Sequence, residues 1–196
     1  MRARIVAAAV ACIVVSGVAL AAPITYTFQA TGSGTIGTTP FSSASFTITV
    51  TADTTGITVI SPGLMYNPGL TSTIEIAGVG TATFTDPKQV LVAQSAPGVG
   101  FEKSGGYNLL DIDNSSFATY DLSTSFGPAT DPAPSPVDQF SNIATSLGAL
   151  TFTSYQDATF TAALGGQQIP TLSLPGLAAL AMLLLVAGVL VLRRMG

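Results

Sequence analysis

The amino-acid sequence predicts a mainly β fold, an antiparallel β-sandwich of jelly-roll-like type, for residues 22–164. In Thr25–Ala30 and Ser45–Thr51, apolar side chains alternate with threonine and other polar residues. A period of two is typical of strands that bury one face. Turn residues separate further short segments, and the lack of a repeat at fixed period excludes solenoids and propellers. About ten short strands with frequent turns favour two packed antiparallel sheets.

The other candidate strands are short segments rich in β-branched or aromatic residues. They are Ile57–Ile60, Ser72–Ala77, Thr81–Thr85, Gln89–Gln94, Tyr107–Asp113, Phe117–Leu122, Leu150–Tyr155 and Ala158–Leu164. Turn-forming residues such as Pro68-Gly69 and Ser104-Gly105-Gly106 lie between them. These segments complete the predicted sandwich.

One segment interrupts this pattern. Gly127–Pro136 holds four prolines, and it predicts a loop because proline cannot donate to a central strand ladder. Ser135 followed by Pro136 is typical of a helix start. We therefore expect a short helix after the loop, with Phe140, Ile143 and Leu147 on one face and its end at Gly148.

The first 21 residues are typical of a secretory signal peptide. Arg2 and Arg4 precede an apolar run, and Ala19 and Ala21 form a small-x-small cleavage site. One alternative is an uncleaved anchor, because the apolar run is nearly long enough to span a bilayer. Another is a lipoprotein signal at Cys12, which the continuation of the apolar run disfavours. We expect export through the translocon and cleavage after Ala21.

The C-terminal segment predicts a membrane span. Leu174–Leu192 contains nineteen uncharged residues, of which eight are Leu and three are Val, and it ends at Arg193 and Arg194. At about 1.5 Å per residue, a helix of this length crosses a hydrocarbon core of roughly 30 Å. A buried helix of a soluble domain would need a polar stripe, which this segment lacks. The arginine pair favours a cytoplasmic C-terminus, and residues 165–168 form a short linker outside the inner membrane.

The same region carries a family resemblance. Its motif residues are Ile169, Pro170, Thr171, Leu172, Ser173 and Gly176, and the basic stop is Arg193 and Arg194. Together with the intervening apolar segment, they resemble the IPTL-CTERM sorting signal, a relative of PEP-CTERM, although Leu174-Pro175 departs from the family pattern. The resemblance implies cleavage near the motif by an exosortase-type transpeptidase. It also implies delivery of the exported domain to the cell surface or the extracellular matrix.

Charge and composition limit the possible functions. The exported part holds all ten acidic residues against Lys88 and Lys103 alone, a net charge of −8, which makes nucleic acid an improbable partner. The chain has no histidine, and its single cysteine, Cys12, lies in the signal peptide. Histidine-assisted nucleophiles, the usual zinc sites and an internal disulfide are therefore excluded from the mature domain. We expect no cofactor.

The candidate ligand residues are carboxylates. Asp111 and Asp113 lie two apart on a predicted strand and so share a face, with Asn114 beside them. They could supply half of a calcium site, and the alternative interpretation is a solvated strand end that runs into a turn. Asp111 with Asp121 or Glu102 is a weak candidate acid/base pair for glycoside cleavage.

These observations predict a non-enzymatic protein of the cell surface or extracellular matrix. Its association with extracellular polysaccharide is implied by the family resemblance. The alternative is a carbohydrate- or calcium-dependent binding module at the cell surface, and a third candidate is a hydrolase that uses carboxylates alone. Before processing, we expect the chain in the inner membrane with its domain outside. Afterwards, we expect the domain at the surface or outside the cell.

Overall fold

A computed structural model describes residues 22–105, 107–132 and 140–165. These residues form a mainly β structure of two antiparallel sheets, consistent with a β-sandwich. The predicted mainly β, antiparallel fold is therefore confirmed. Within these ranges, no helix has the length and apolar character to cross a membrane. The predicted signal peptide and the predicted C-terminal span, 174–192, lie outside the described residues.

The strands are numbered in chain order, and the described residues contribute seven of them to sheet A. These are β1 (Pro23–Ile36), β2 (Thr39–Asp53), β5 (Thr71–Ile76), β6 (Gly80–Thr83), β10 (Phe126–Asp131), β11 (Ile143–Thr145) and β12 (Gly148–Leu164). They pair in the order β10-β12-β1-β2-β5-β6, and β11 also pairs with β12. The first and last strands of the fold are thus neighbours.

Sheet B contains five strands among the described residues. They are β3 (Thr58–Ser61), β4 (Leu64–Pro68), β7 (Lys88–Ala93), β8 (Gly98–Lys103) and β9 (Tyr107–Asp113), and they pair in that order. The chain alternates between the sheets, because β1 and β2 belong to sheet A, β3 and β4 to sheet B, and β5 and β6 to sheet A again. Each sheet is therefore assembled from hairpins that are distant in the sequence.

A single apolar cluster joins the inner faces of both sheets. Phe160 and Phe28 of sheet A have ring centroids 5.1 Å apart, and Phe28 lies 5.9 Å from Phe101 of sheet B. All three side chains are fully buried, and burying each one stabilises the fold by about 1.5 to 3 kcal/mol. The alternation in the sequence thus directs every second residue into one shared core.

The two ends of the described body lie side by side. Ile24 pairs with Leu164, and the Gly165 N–H donates to the Pro23 carbonyl at 2.7 Å. The Thr54 N–H donates to the Ala22 carbonyl at 3.0 Å. Hydrogen bonds therefore bind both chain ends of the body into sheet A.

Several predicted strands are confirmed with shifts of one or two residues, but the last two are a single strand. Leu150–Tyr155 and Ala158–Leu164 both belong to β12, whose pairing with β1 shifts register twice, between Gln29 and Thr31 and between Ser33 and Gly34. Phe117–Leu122 is wrong as a strand, because Ser115–Thr119 forms a 3₁₀ turn. The Asn114 side chain accepts the Ser116 N–H at 3.0 Å, a local bond that competes with strand pairing.

The predictions for the proline-rich segment and the helix are also corrected. Residues 127–131 belong to β10 rather than to a loop, and the register shifts between Phe126 and Ala129, around Pro128. Proline is tolerated there because β10 is an edge strand and Pro128 lies at an irregularity. The expected helix is wrong in its second half, where Ile143–Thr145 forms β11. Residues 133–139 lie outside the described ranges.

Candidate functional site

The two predicted calcium-ligand aspartates lie together on the outer face of sheet B. Asp111 pairs with Gly100 and Asp113 pairs with Gly98 on the neighbouring strand β8. A Cβ atom at either glycine would lie 2.7 Å from the facing Asp Oδ1. The glycines therefore leave the space into which the two carboxylates extend. The prediction that Asp111 and Asp113 share a face is confirmed.

Asn114 does not join this pair as a free ligand. Its Nδ2 donates to the Thr130 carbonyl at 3.1 Å, and its Oδ1 accepts from the backbone and hydroxyl of Ser116. Within the described residues, no group of three or more His, Cys, Asp and Glu side chains is placed to hold a metal ion. Because calcium takes about six to eight oxygen ligands, Asp111 and Asp113 would supply only part of its coordination.

The same face brings a third carboxylate close to Asp111. Glu102 Oε2 accepts from Gln89 Nε2 at 2.8 Å, and Asp111 Oδ2 accepts from Asn108 Nδ2 at 2.8 Å. Burial raises the pKa of the Glu102 carboxyl, the Gln89 hydrogen bond opposes that rise, and the charge of Asp111 adds to it. Burial likewise raises the pKa of Asp111, with Asn108 opposing and Asp113 adding. These carboxyls therefore hold their protons more tightly than exposed ones.

Asp121, the other acid/base partner considered for Asp111, has a different role. Its Oδ1 accepts from the backbone N–H of Ser123 at 3.0 Å and from its hydroxyl at 2.6 Å. Asp121 is exposed and stabilises a turn. Of the two acid pairs considered from the sequence, the structure brings Asp111 together with Glu102 by strand pairing.

We call the outer surface of sheet B the carboxylate face. It contains Glu102, Asp111 and Asp113. Its other members are outward-facing residues of β4, β7, β8 and β9, namely Tyr66, Gln89, Leu91, Gly98, Gly100 and Asn108. One cross-strand row runs from Tyr66 through Leu91 and Gly100 to Asp111. The row therefore presents an aromatic ring, an aliphatic side chain, a glycine and a carboxylate on one surface. That chemistry suits a sugar ring or a partly coordinated cation.

The outer surface of sheet A is chemically different, and we call it the threonine face. Its members are Thr25, Thr27, Thr47, Thr49, Thr51, Thr71, Thr73, Thr81, Thr83, Thr130, Thr159 and Thr161, together with Gln29, Glu75 and Ala163. One unbroken row crosses five strands as Thr161, Thr27, Thr49, Thr73 and Thr83. Among the described residues in this register, the ionisable side chains are Glu75 and, at the end of β2 opposite Pro23, Asp53.

The sequence contained a signal for the threonine face that strand prediction alone did not use. Six copies of the motif Thr-x-Thr have both threonines on this face: Thr25–Thr27, Thr47–Thr49, Thr49–Thr51, Thr71–Thr73, Thr81–Thr83 and Thr159–Thr161. Each copy places two threonines on one side of a strand. Only the strand register reveals that these six copies align on one surface.

Both lysines of the body meet at one corner. Lys88 and Lys103 are direct partners across β7 and β8, and Lys103 Nζ lies 3.5 Å from Asp86 Oδ2. Lys88 Nζ donates to the Asp86 carbonyl at 3.0 Å and lies 5.2 Å from the Phe84 ring centroid. A cavity of about 300 Å³ is lined by Lys88, Asp86 and Leu70, among other residues. The body's positive charge is thus confined to this corner.

The residues of the predicted processing sites lie outside the described ranges. They are Ala19 and Ala21 at the signal cleavage site, Ile169, Pro170, Thr171, Leu172, Ser173 and Gly176 of the sorting motif, and Arg193 and Arg194. No known protein family, characterised protein or solved structure matches this chain. The function is therefore argued from the two outer faces, the paired ends of the body and the sequence of the end segments.

Proposed function

We propose that this chain is the precursor of a non-enzymatic exported protein of the cell surface or extracellular matrix. An N-terminal signal peptide directs export, and the IPTL-CTERM-like signal at 169–196 holds the precursor in the inner membrane. An exosortase-type transpeptidase then cleaves near the motif and passes the folded domain outward. The domain is a β-sandwich, jelly-roll-like in that successive hairpins alternate between its two sheets.

The arrangement of the chain ends supports this proposal most directly. Strand β1 begins at Pro23, directly after the expected signal cleavage, and β12 ends at Leu164, directly before the linker. The bond from the Gly165 N–H to the Pro23 carbonyl closes the body between them. Cleavage at both expected sites would therefore leave every described strand intact, as a cargo domain requires.

The chemistry of the body agrees with an extracellular cargo. Its stability comes from an aromatic core shared by both sheets, because no cysteine is present after Cys12. Two carboxylates of sheet B accept hydrogen bonds from amide side chains, buried Glu102 from Gln89 and half-buried Asp111 from Asn108. A net charge far from zero also favours solubility outside the membrane.

Fractionation of producing cells tests the proposal. We expect the full chain in the inner membrane and its processed domain at the surface or in the matrix. Deletion of 169–196 should release the domain into the periplasm or medium, because the span and the sorting motif are both lost. A deletion of residues 133–139, which retains both end segments, is the control and should leave sorting unchanged.

Mass spectrometry of the mature protein sharpens this test. The expected N-terminus is Ala22, and the expected C-terminus lies near Ile169–Ser173. Surface location that persists without 169–196 would contradict the sorting role. Recovery of the full-length, untrimmed chain from the cytosol would contradict export altogether.

A second function is favoured by the carboxylate face, namely carbohydrate- or calcium-dependent binding. Tyr66 and Asp111 lie in one cross-strand row with Leu91 and Gly100 between them, and the missing side chain of Gly100 leaves the space that the Asp111 carboxylate enters. A glycan array probed with the full chain, with and without calcium, tests this function. Asp111→Asn should abolish a genuine signal, whereas Asp157→Asn, at an exposed position of β12 in sheet A, should retain it. A blank array in both conditions excludes this second function.

A further inference from the structure

The threonine face forms a two-dimensional array with a regular repeat. Neighbouring strands lie about 4.7 to 4.9 Å apart, and outward residues repeat about every 6.8 Å along each strand. The row from Thr161 to Thr83 follows the first direction, and the six Thr-x-Thr motifs of this face follow the second. Twelve hydroxyl groups and twelve methyl groups are thus placed at positions that the backbone fixes.

The side chains of this array are held in place. A β-branched side chain has restricted χ1 rotation, and the threonines in the centre of the face, such as Thr27 and Thr49, are half-buried between their neighbours. Direct hydroxyl contacts add order, at 2.6 Å between Thr51 and Thr71 Oγ1 and at 3.1 Å between Thr130 and Thr159 Oγ1. Little conformational entropy remains to be lost when this surface binds an ordered partner.

Charge and composition indicate the class of partner. The body has a net charge of −8, yet the array of threonines contains only Glu75 as an ionisable group, with Asp53 at its margin where β2 ends. A charged polymer would be matched by opposite charges, and sugar rings are commonly stacked on aromatic side chains. The face presents neither. Its hydroxyls and methyls instead suit an uncharged partner with a repeating surface of oxygen atoms, such as ice, whose lattice excludes ions.

We propose that the threonine face binds ice. The threonine hydroxyls hydrogen-bond a layer of ordered water, and the methyl groups occupy the spaces between those waters. Water bridged in this way is nearly as favourable as a direct hydrogen bond, and the binding is the sum of many such sites. Adjacent strands rotate by roughly 20 to 25°, so the contact with a planar lattice is centred on β1 and β2. This proposal goes beyond export and does not depend on it.

Partition into ice tests the proposal. The full chain, kept soluble in detergent because of its two apolar end segments, is exposed to a slowly growing ice surface, and its incorporation and its inhibition of ice recrystallisation are measured. Thr27→Lys and Thr49→Lys place a long cation on two directly paired positions at the centre of the face. Thr58→Lys, on an exposed residue of β3 in sheet B, is the control with the same change in side chain and charge.

We expect the unmodified chain and Thr58→Lys to enter ice and to slow recrystallisation at equal concentration. Thr27→Lys and Thr49→Lys should need about tenfold more protein for the same effect, while circular dichroism shows an unchanged β fold. Exclusion of the unmodified chain from ice overturns the proposal whatever the variants do. Equal activity of Thr49→Lys and Thr58→Lys also overturns it. Binding to microcrystalline cellulose without entry into ice would assign the face to polysaccharide instead.

Discussion

The two outer faces of this molecule are built on the same backbone pattern but differ in chemistry. In both sheets, every second residue enters the shared core, so the inner residues are alike. Outside, sheet A repeats threonine over five strands, whereas sheet B combines carboxylates, amides, glycines and Tyr66. Alternation therefore predicts a strand but does not determine the chemistry of its outward side chains. The information about function lies in those outward side chains.

The difference extends to how each face responds to its surroundings. The carboxylate face contains two carboxyls whose pKa values are raised by burial, Glu102 and Asp111. Its properties should therefore change with pH. The threonine face consists mainly of groups that do not ionise, and its properties depend on spacing. One face is suited to respond to pH or ions, and the other to present a constant surface.

The largest expected effect comes from the core beneath both faces. The Phe160 ring contacts those of Phe28 and Phe117, at centroid distances of 5.1 and 5.7 Å. Phe160→Ala should lower the free energy of unfolding by about 3 to 5 kcal/mol, because it leaves a cavity between the sheets. Urea unfolding should show a single transition in which both faces are lost together.

The control for this change is Leu147→Ala, because Leu147 is 48% exposed. It should alter the free energy of unfolding by no more than about 0.5 kcal/mol. Two separate transitions in Phe160→Ala would contradict the picture of two faces on one cooperative body.

The fold was predictable wherever one strand carried its own signal. Thr25–Ala30 and Ser45–Thr51 alternate strictly, and both lie in long strands of sheet A. Strand β8 was missed because Gly98 and Gly100 suggest a turn. Those glycines instead make room for the aspartates of β9, a requirement that becomes visible only once the two strands are paired. The predicted helix failed for a similar reason, since β12 offers β11 a partner that local sequence does not reveal.

The candidate sites also divide into features that one strand's sequence predicts and features that depend on strand pairing. The period of two correctly placed Asp111 and Asp113 on one face, because only the local strand is needed. The approach of Glu102 to Asp111 depends on the pairing of β8 with β9, and the threonine row depends on the register of five strands. Register between distant strands is set by the whole core rather than by any one segment. The sorting signal remains a prediction from the sequence.

A smaller effect is expected at the bond that joins the two sheets. The Tyr26 hydroxyl donates to the Leu122 carbonyl at 2.7 Å and accepts from Asn67 Nδ2 at 2.8 Å. Tyr26→Phe should cost about 1 to 3 kcal/mol of stability, because it leaves buried polar groups without partners. Tyr66→Phe, on the carboxylate face, is the matched control and should cost much less. Equal losses in the two variants, measured by urea unfolding, would contradict this role of the Tyr26 hydroxyl.

The two faces should differ in how strongly their side chains make the stability of the fold depend on pH. Glu102 has an ordinary pKa of 4.5, and its folded pKa is higher, so the folded state retains a proton that the unfolded state loses. Its stabilising contribution is therefore complete below about 4.5 and is lost as the pH rises through the folded pKa. Glu102→Gln should raise the stability at neutral pH relative to the unmodified chain and flatten the profile.

Glu75→Gln, on the threonine face, provides the matched control for this experiment. It makes the same chemical change on the exposed side of sheet A and should leave the shape of the profile unchanged. The measurement is the free energy of urea unfolding at several values between about pH 4 and pH 8. A profile that keeps its slope in Glu102→Gln would show that the buried carboxyl is not its source.

The smallest expected effect tests whether the two faces are independent. Thr49→Ser keeps the hydroxyl but removes the β-branched methyl group, and it should lower stability by less than about 1 kcal/mol, the span of strand propensities. Thr49 and Glu102 lie on opposite outer sides of the body, separated by a core about 10 Å thick. The double variant Thr49→Ser/Glu102→Gln should therefore equal the sum of the single changes within about 0.5 kcal/mol. A larger coupling, measured by urea unfolding at neutral pH, would mean that a change on one face is transmitted through the core to the other.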